Sequence, residues 1–307
     1  MAERILSGEL RAPRQMLAKQ EYSEHTSIHD DETAERLGFK AGPIEGPTHF
    51  SQFVPLLTEF WGTTWFESGC LSSHFQNMCT EGDQVRAFAK YDSDTPFTAQ
   101  IWAEKEDGTP VLTGTASIPD NSGNHPESEL ERRLKRLTPP GPLVILADLS
   151  VGQRGAAPEP VIMDFDQNMG SLYPFSLKEK LEKITERFPW YNPASAKNSP
   201  WGRAIIPIEM ISVLAEYTSR SAKWPTKGPA IGLFADLEIR LLDGPLFVGE
   251  PYLITREIVA LSESRRTESY WVRTLISETK TNKPKASILL NHATLKASYA
   301  GYPSDAL

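Results

Sequence analysis

One arrangement occurs twice along this chain: an apolar helix-like run followed by short strand-like segments, each closed by turn residues. The first run extends from about Pro47 to Trp61, and segments then begin near Cys70, Val85, Phe97 and Val111. Turns such as Glu81-Gly82-Asp83 and Asp107-Gly108 separate them. Val85, Ala87 and Ala89 alternate with Arg86, Phe88 and Lys90, the period of a half-buried antiparallel strand. In the second occurrence, Gly202-Arg203-Ala204-Ile205 leads into a helix whose Ile208, Ile211 and Leu214 share one face. Strands are expected after it near Leu233, Tyr252, Ser269 and Ile288. Gly42 and Gly202, which precede the two helices, lie 160 residues apart; Gly82-Asp83 and Gly249-Glu250 lie 167 apart. Near-equal offsets predict two tandem α+β units, each an antiparallel sheet wrapped round one helix.

The stretch between the units is rich in Pro, Gly, Asn and charge. It divides the chain into residues 1–120, a connector over 121–160, and 161–307. The connector holds one short amphipathic helix, with Leu130, Leu134 and Leu137 packed beneath a solvated face carrying Arg132, Arg133, Lys135 and Arg136. A total of 307 residues supplies ample core without covalent staples, and two cysteines, Cys70 and Cys79, make no disulfide framework. With no signal-peptide pattern and no apolar run long enough for a bilayer, the chain reads as cytoplasmic, with no membrane partner. Residues 1–150 hold 13 Lys+Arg against 23 Asp+Glu, within a net charge of −8, so nucleic acid is not an expected partner.

The chemistry is concentrated between Glu24 and Thr48. There a carboxylate, Glu24, precedes a histidine, His29, by five residues; a short helical run follows, then a Gly-Pro turn into the first apolar helix. Such an order sets an acid and a base beside a helix N-terminus, where backbone N–H groups hold developing negative charge. The stretch resembles the hydratase motif of the MaoC-like enoyl-CoA hydratases and dehydratases, which have the hotdog fold. Ile28-His29, Gly38-Phe39 and Pro43-Ile44 match that motif; Thr26-Ser27 replaces its Asn-Pro, and Glu24 stands where the family has aspartate. The resemblance implies a double hotdog and a hydro-lyase that hydrates a 2-enoyl thioester or dehydrates a 3-hydroxyacyl thioester. No metal or redox cofactor is implied, since coenzyme A or an acyl carrier arrives with the small-molecule substrate. A homodimer paired through sheet faces would fit.

Within that reading, His29 and Glu24 form the proton-transferring pair. The resemblance also places the oxyanion donor at the start of the helix. Here the turn is one residue shorter than the family's, so Gly46 is the first choice and Thr48 the second, while Pro47 has no N–H. His49, on the first helical turn, and Thr48 are candidate substrate contacts. Asp31, with Asp30, sits at the start of the short helix and would orient the site more than react. The spacing of His25 and His29 would suit a shared ion only on a helix, and Ser27-Ile28 reads as loop, so no metal is expected.

The second unit has no histidine at the matching place, where Asp166 to Lys180 runs instead. His292 falls in a late strand, far from that place. One working half and one degenerate half are therefore expected, with Tyr173, Phe175, Trp190, Tyr191 and Trp201 available to the pocket or the core. Three rival functions stay open at this point: a hotdog thioesterase, a lyase acting on a small molecule without a thioester, and a non-catalytic acyl-binding protein.

Overall fold

The computed structural model describes residues 3–22, 27–156 and 160–303. The chain opens with strand β1 (Glu3–Ser7) and reaches helix α1 (Asp31–Arg36). The expected first helix is a 3-10 segment, Gly46–Phe53, continued by α2 (Val54–Trp61). Pro47 sits in the first turn, where no intrahelical N–H is needed, whereas Pro55 at the start of α2 lacks the N–H that an uninterrupted α-helix through both pieces would require. After α3 (Thr64–Ser68) come β2 (Cys70–Phe75), β3 (Val85–Asp92), β4 (Thr98–Lys105) and β5 (Pro110–Ser117). The connector contributes α4 (Glu129–Lys135). The second half runs α5 (Leu177–Lys183), α6 (Ile208–Glu216), β6 (Gly232–Leu241), β7 (Tyr252–Glu263), β8 (Thr267–Glu278) and β9 (Pro284–Leu295).

The strands form one antiparallel sheet in the order β1-β3-β4-β5-β2-β6-β9-β8-β7. Without β1, the order reads the same outward from the β2–β6 seam on both sides, which is what a duplicated unit joined edge to edge gives. The seam pairs Cys70 with Arg240 through His74 with Asp236. Joining the units this way removes one exposed edge from each. β3 shows why the strands were readable: Val85, Ala87 and Ala89 are buried, and the residues between them face outward, where Phe88 stacks on Trp102 at 5.0 Å. β1, mostly exposed, carries no such alternation and was not anticipated.

The two central helices pack against each other and the sheet, and one continuous core takes Phe50, Phe53 and Leu57 from the first and Met210, Ile211 and Leu214 from the second. On the other face α4 covers the seam. A Ser128–Glu131 capping box starts the helix, Leu130 packs on Trp271 and Leu289, and the Leu130 N–H donates to Ser72 Oγ at 3.0 Å. The basic cluster on α4 keeps a solvated face, with Lys135 and Arg136 exposed, but is tied into ion pairs. Arg133 pairs with the fully buried Asp236 at 3.0 Å, Arg132 with Glu129, and Lys135 with Glu127.

Candidate active site

Local geometry fixes His29. Asp30 caps α1 by accepting from the Thr33 N–H at 2.9 Å, which turns the chain immediately after the histidine. Asp31 Oδ1 accepts from the Gly42 N–H at 2.8 Å, and a Cβ on Gly42 would fall 2.2 Å from the His29 carbonyl oxygen. Only glycine lets the two segments come this close. The His29 ring then lies with Nδ1 2.5 Å from the Pro43 carbonyl. A carbonyl only accepts, so Nδ1 carries the proton and Nε2 keeps a free lone pair. Burial pushes the His29 pKa below its ordinary value, against the opposing pull of the Pro43 bond and Glu45, which keeps the ring neutral at physiological pH.

The next turn brings the helix start to the same cavity. Ile44 N–H donates to the Cys79 carbonyl at 2.7 Å, which anchors Glu45, Gly46 and Pro47 on the wall. The Thr48 N–H donates to the Glu45 carbonyl at 3.1 Å and is thereby taken, while Gly46, the other donor considered, lines the cavity. Thr48 Oγ1 also turns away from the cavity. It donates to Glu45 at 3.0 Å and accepts from the Lys180 ammonium at 2.8 Å. His49 does line the cavity. Its Nδ1 donates to Gln52 Oε1 at 3.3 Å, an orientation set by Gln52 Nε2 donating to the Val85 carbonyl. Burial, with Lys180 and Lys105 near, lowers its pKa to about 4.

These groups share a cavity of about 310 Å³. Ile28, Ile44 and Val111 give it apolar walls, Asn77 and Gln76 a polar edge, and β6 and β9 close the far side with Gly232–Ala235 and His292. Its size and mixture suit a small organic ligand.

No protein-family model and no curated protein sequence matches the chain. Solved structures do. A MaoC-domain dehydratase from Chloroflexus aurantiacus is 15% identical with a TM-score of 0.58, covering 96% of this chain and 95% of that one. A conserved Mycobacterium tuberculosis protein described as a double hotdog is 11% identical with a TM-score of 0.55, at coverages of 94% and 96%. A MaoC-like dehydratase reaches 13% identity and a TM-score of 0.51, at 95% and 97%. The fold is a double hotdog.

The two halves of this double hotdog contribute differently to the cavity. The first contributes His29, His49 and the Gly46 backbone; Glu24 and His25 lie outside the described residues. Asp31, expected near the substrate, is placed off the cavity wall and braces Gly42 instead. Of the five aromatic residues considered, Tyr173 lines the cavity. Phe175 and Tyr191 are buried in the core, and Trp190 and Trp201 cluster with Phe66. Among the described residues no group of three His, Cys, Asp or Glu side chains could hold a metal ion. No helix among them is long and apolar enough to cross a membrane.

The second half also supplies what the sequence reading missed. Lys180, 1% exposed, reaches from α5 to pair with Glu45 on the cavity wall, with Thr48 as its further partner. Helical spacing was the available signal, since Lys180 stands three residues after the buried Leu177 and four before the buried Ile184. Glu209, in the first turn of α6, is buried with neither carboxylate oxygen partnered among the described residues. Burial raises its pKa to about 7, although Lys180 pulls the other way. His292, expected in a late strand away from the second unit's counterpart of the motif, is on β9 and lines the cavity wall.

Proposed function

We propose that this double hotdog is a hydro-lyase that adds water to a 2-enoyl thioester or removes it from a 3-hydroxyacyl thioester. The observation that carries the reading is His29. Its Nδ1 is committed to Pro43 and its neutral ring lines the same cavity as the first residue of a helix. In the hydration direction, water oxygen bonds to C3 while His29 Nε2 takes its proton, with Glu24 holding the water. The electron pair of the C2=C3 bond moves onto the carbonyl, and the Gly46 N–H holds the resulting enolate oxygen. A proton from the Glu24–His29 pair then returns to C2, which restores the thioester and balances the step. Two of the structural neighbours are described as dehydratases, which supports this choice among hotdog chemistries.

A coenzyme A carrier would meet Arg265 and Arg266 beside the cavity. Both are exposed, Thr267 next to them lines the cavity, and Arg266 lies over the Phe39 ring at 5.9 Å. The α4 cluster, engaged with its own carboxylates, is less suited to phosphate. Mass spectrometry on a panel of enoyl-, 3-hydroxyacyl- and saturated acyl-CoA tests the reading. Gain or loss of one water on an intact thioester supports it. Release of free CoA would replace it with a thioesterase, and an unchanged panel would point to a substrate without a thioester.

A further inference from the structure

His292 lines the cavity from the second half and takes no part in the proposed chemistry, and its surroundings are built around the ring. On β9 it stands between Phe234 of β6 and Tyr270 of β8 in the sheet register. The imidazole stacks on Tyr270 with centroids 4.8 Å apart and meets Phe234 edge-on at 6.0 Å. The space it occupies exists because residue 232 is glycine: a Cβ there would lie 2.2 Å from His292 Cε1. Three neighbours thus hold a polar ring in one pose on an otherwise largely apolar wall. A polar group positioned this way, on the half that lacks the acid–base motif, calls for a partner.

The three cavity histidines differ in what they offer. His29 and His49 both direct an Nδ1–H at a protein oxygen, which leaves each an acceptor at Nε2. His292 is the reverse. Its Nδ1 is buried with no partner among the described residues, so the ring edge available to the cavity carries Nε2. An orphaned buried N–H is rarer in proteins than an under-satisfied acceptor, so the proton belongs on Nε2. Burial lowers the His292 pKa to about 4, so the ring is neutral and carries a single N–H. His292 therefore presents a hydrogen-bond donor to the ligand, from the wall contributed by the second half.

We propose that His292 is a specificity-determining donor, selecting acyl groups that carry an oxygen acceptor, an oxo or hydroxyl group, beyond the reacting carbons over plain hydrocarbon chains. This rests on the thioester reading for the identity of the ligand, and not for the donor itself. A hydrocarbon chain would leave the N–H facing apolar surface, with the desolvation cost of an unmade bond, whereas an oxygenated chain would satisfy it.

Calorimetric binding of three esters tests the selection: pentanoyl-CoA, 4-oxopentanoyl-CoA and 5-hydroxypentanoyl-CoA, none of which can be hydrated or dehydrated across C2–C3. The wild-type protein should prefer at least one oxygenated ester over pentanoyl-CoA by about three- to tenfold, the range of one net hydrogen bond. His292→Phe keeps a ring on Tyr270 without the N–H. It should lose that preference and bind pentanoyl-CoA no more weakly than wild type, because no N–H is left unpaired against the hydrocarbon chain. Equal affinities in the wild-type protein, or a preference that survives in H292F, would overturn the proposal. Imidazole ¹⁵N shifts of the wild-type protein test the donor separately, with Nε2 of His292 expected to be protonated and Nδ1 not. An Nδ1-protonated ring overturns the assignment whether or not the variant folds. If no ester binds, the thioester reading fails by itself, and the ¹⁵N result still decides the donor.

Discussion

Replacing Lys180 by methionine should destabilise the protein by about 3–5 kcal/mol, the cost of breaking a buried pair by removing one partner. The estimate follows from the burial of both groups. The Lys180 side chain is 2% exposed and that of Glu45 6%, so without the ammonium the Glu45 carboxylate keeps the Thr48 hydroxyl and little water. Glu209 loses a favourable charge in the same step, because Lys180 is the cation acting on it. Methionine fills most of the lysine stem's volume, so lost packing contributes little. Urea unfolding of wild type, Lys180→Met, Glu45→Gln and the double variant measures the effect as a cycle. The double variant should recover most of the loss, since a buried pair replaced by neutral groups of similar volume is often tolerated. A single variant within about 1 kcal/mol of wild type would refute the pairing. So would a double variant no more stable than K180M.

Other outcomes follow from the same geometry. The folded-state pKa of Glu209 is raised from 4.5 to about 7, so its stabilising protonated form is complete below 4.5 and is lost as pH rises towards 7; the loss is on the order of 3 kcal/mol. Glu209→Gln should remove that slope in urea unfolding across the window, and an unchanged slope would show that Glu209 does not titrate there. Reversing Arg265 and Arg266 to glutamate should raise KM for CoA esters about three- to tenfold at low salt and leave pantetheine esters unaffected. Equal effects on both ester types would place the phosphates elsewhere. Leu130→Ala should cost about 2–5 kcal/mol, because Leu130 is the α4 side chain fully buried on Trp271 and Leu289. A loss below about 1 kcal/mol would mean that α4 does not hold the seam.

The sequence exposed the repeat because strand alternation and helix spacing are local. Val85, Ala87 and Ala89 declared one buried face, and Ile208, Ile211 and Leu214 another. The seam was not legible, since pairing Leu71 with Ile239 joins residues in different halves through the backbone ladder, which no side-chain pattern records. In the site, His29 and Gly46 were readable from a contiguous motif, and Glu24, named with them, lies outside the described residues. Lys180 was hidden because a charged residue breaks the apolar face of its helix, and only its partner, Glu45, explains its burial. His292 was hidden for a different reason: the sheet carries it to a cavity whose motif lies more than two hundred residues earlier.

His29→Ala, assayed on a 2-enoyl-CoA that the wild-type protein hydrates, tests the central claim most directly. The variant should remain folded by circular dichroism and lose at least about a hundredfold in kcat/KM. The wild-type rate should persist below the usual imidazole pKa, because burial keeps His29 neutral to lower pH. A folded His29→Ala variant within a few fold of wild type would contradict the account, because no proton carrier would then be acting from that position.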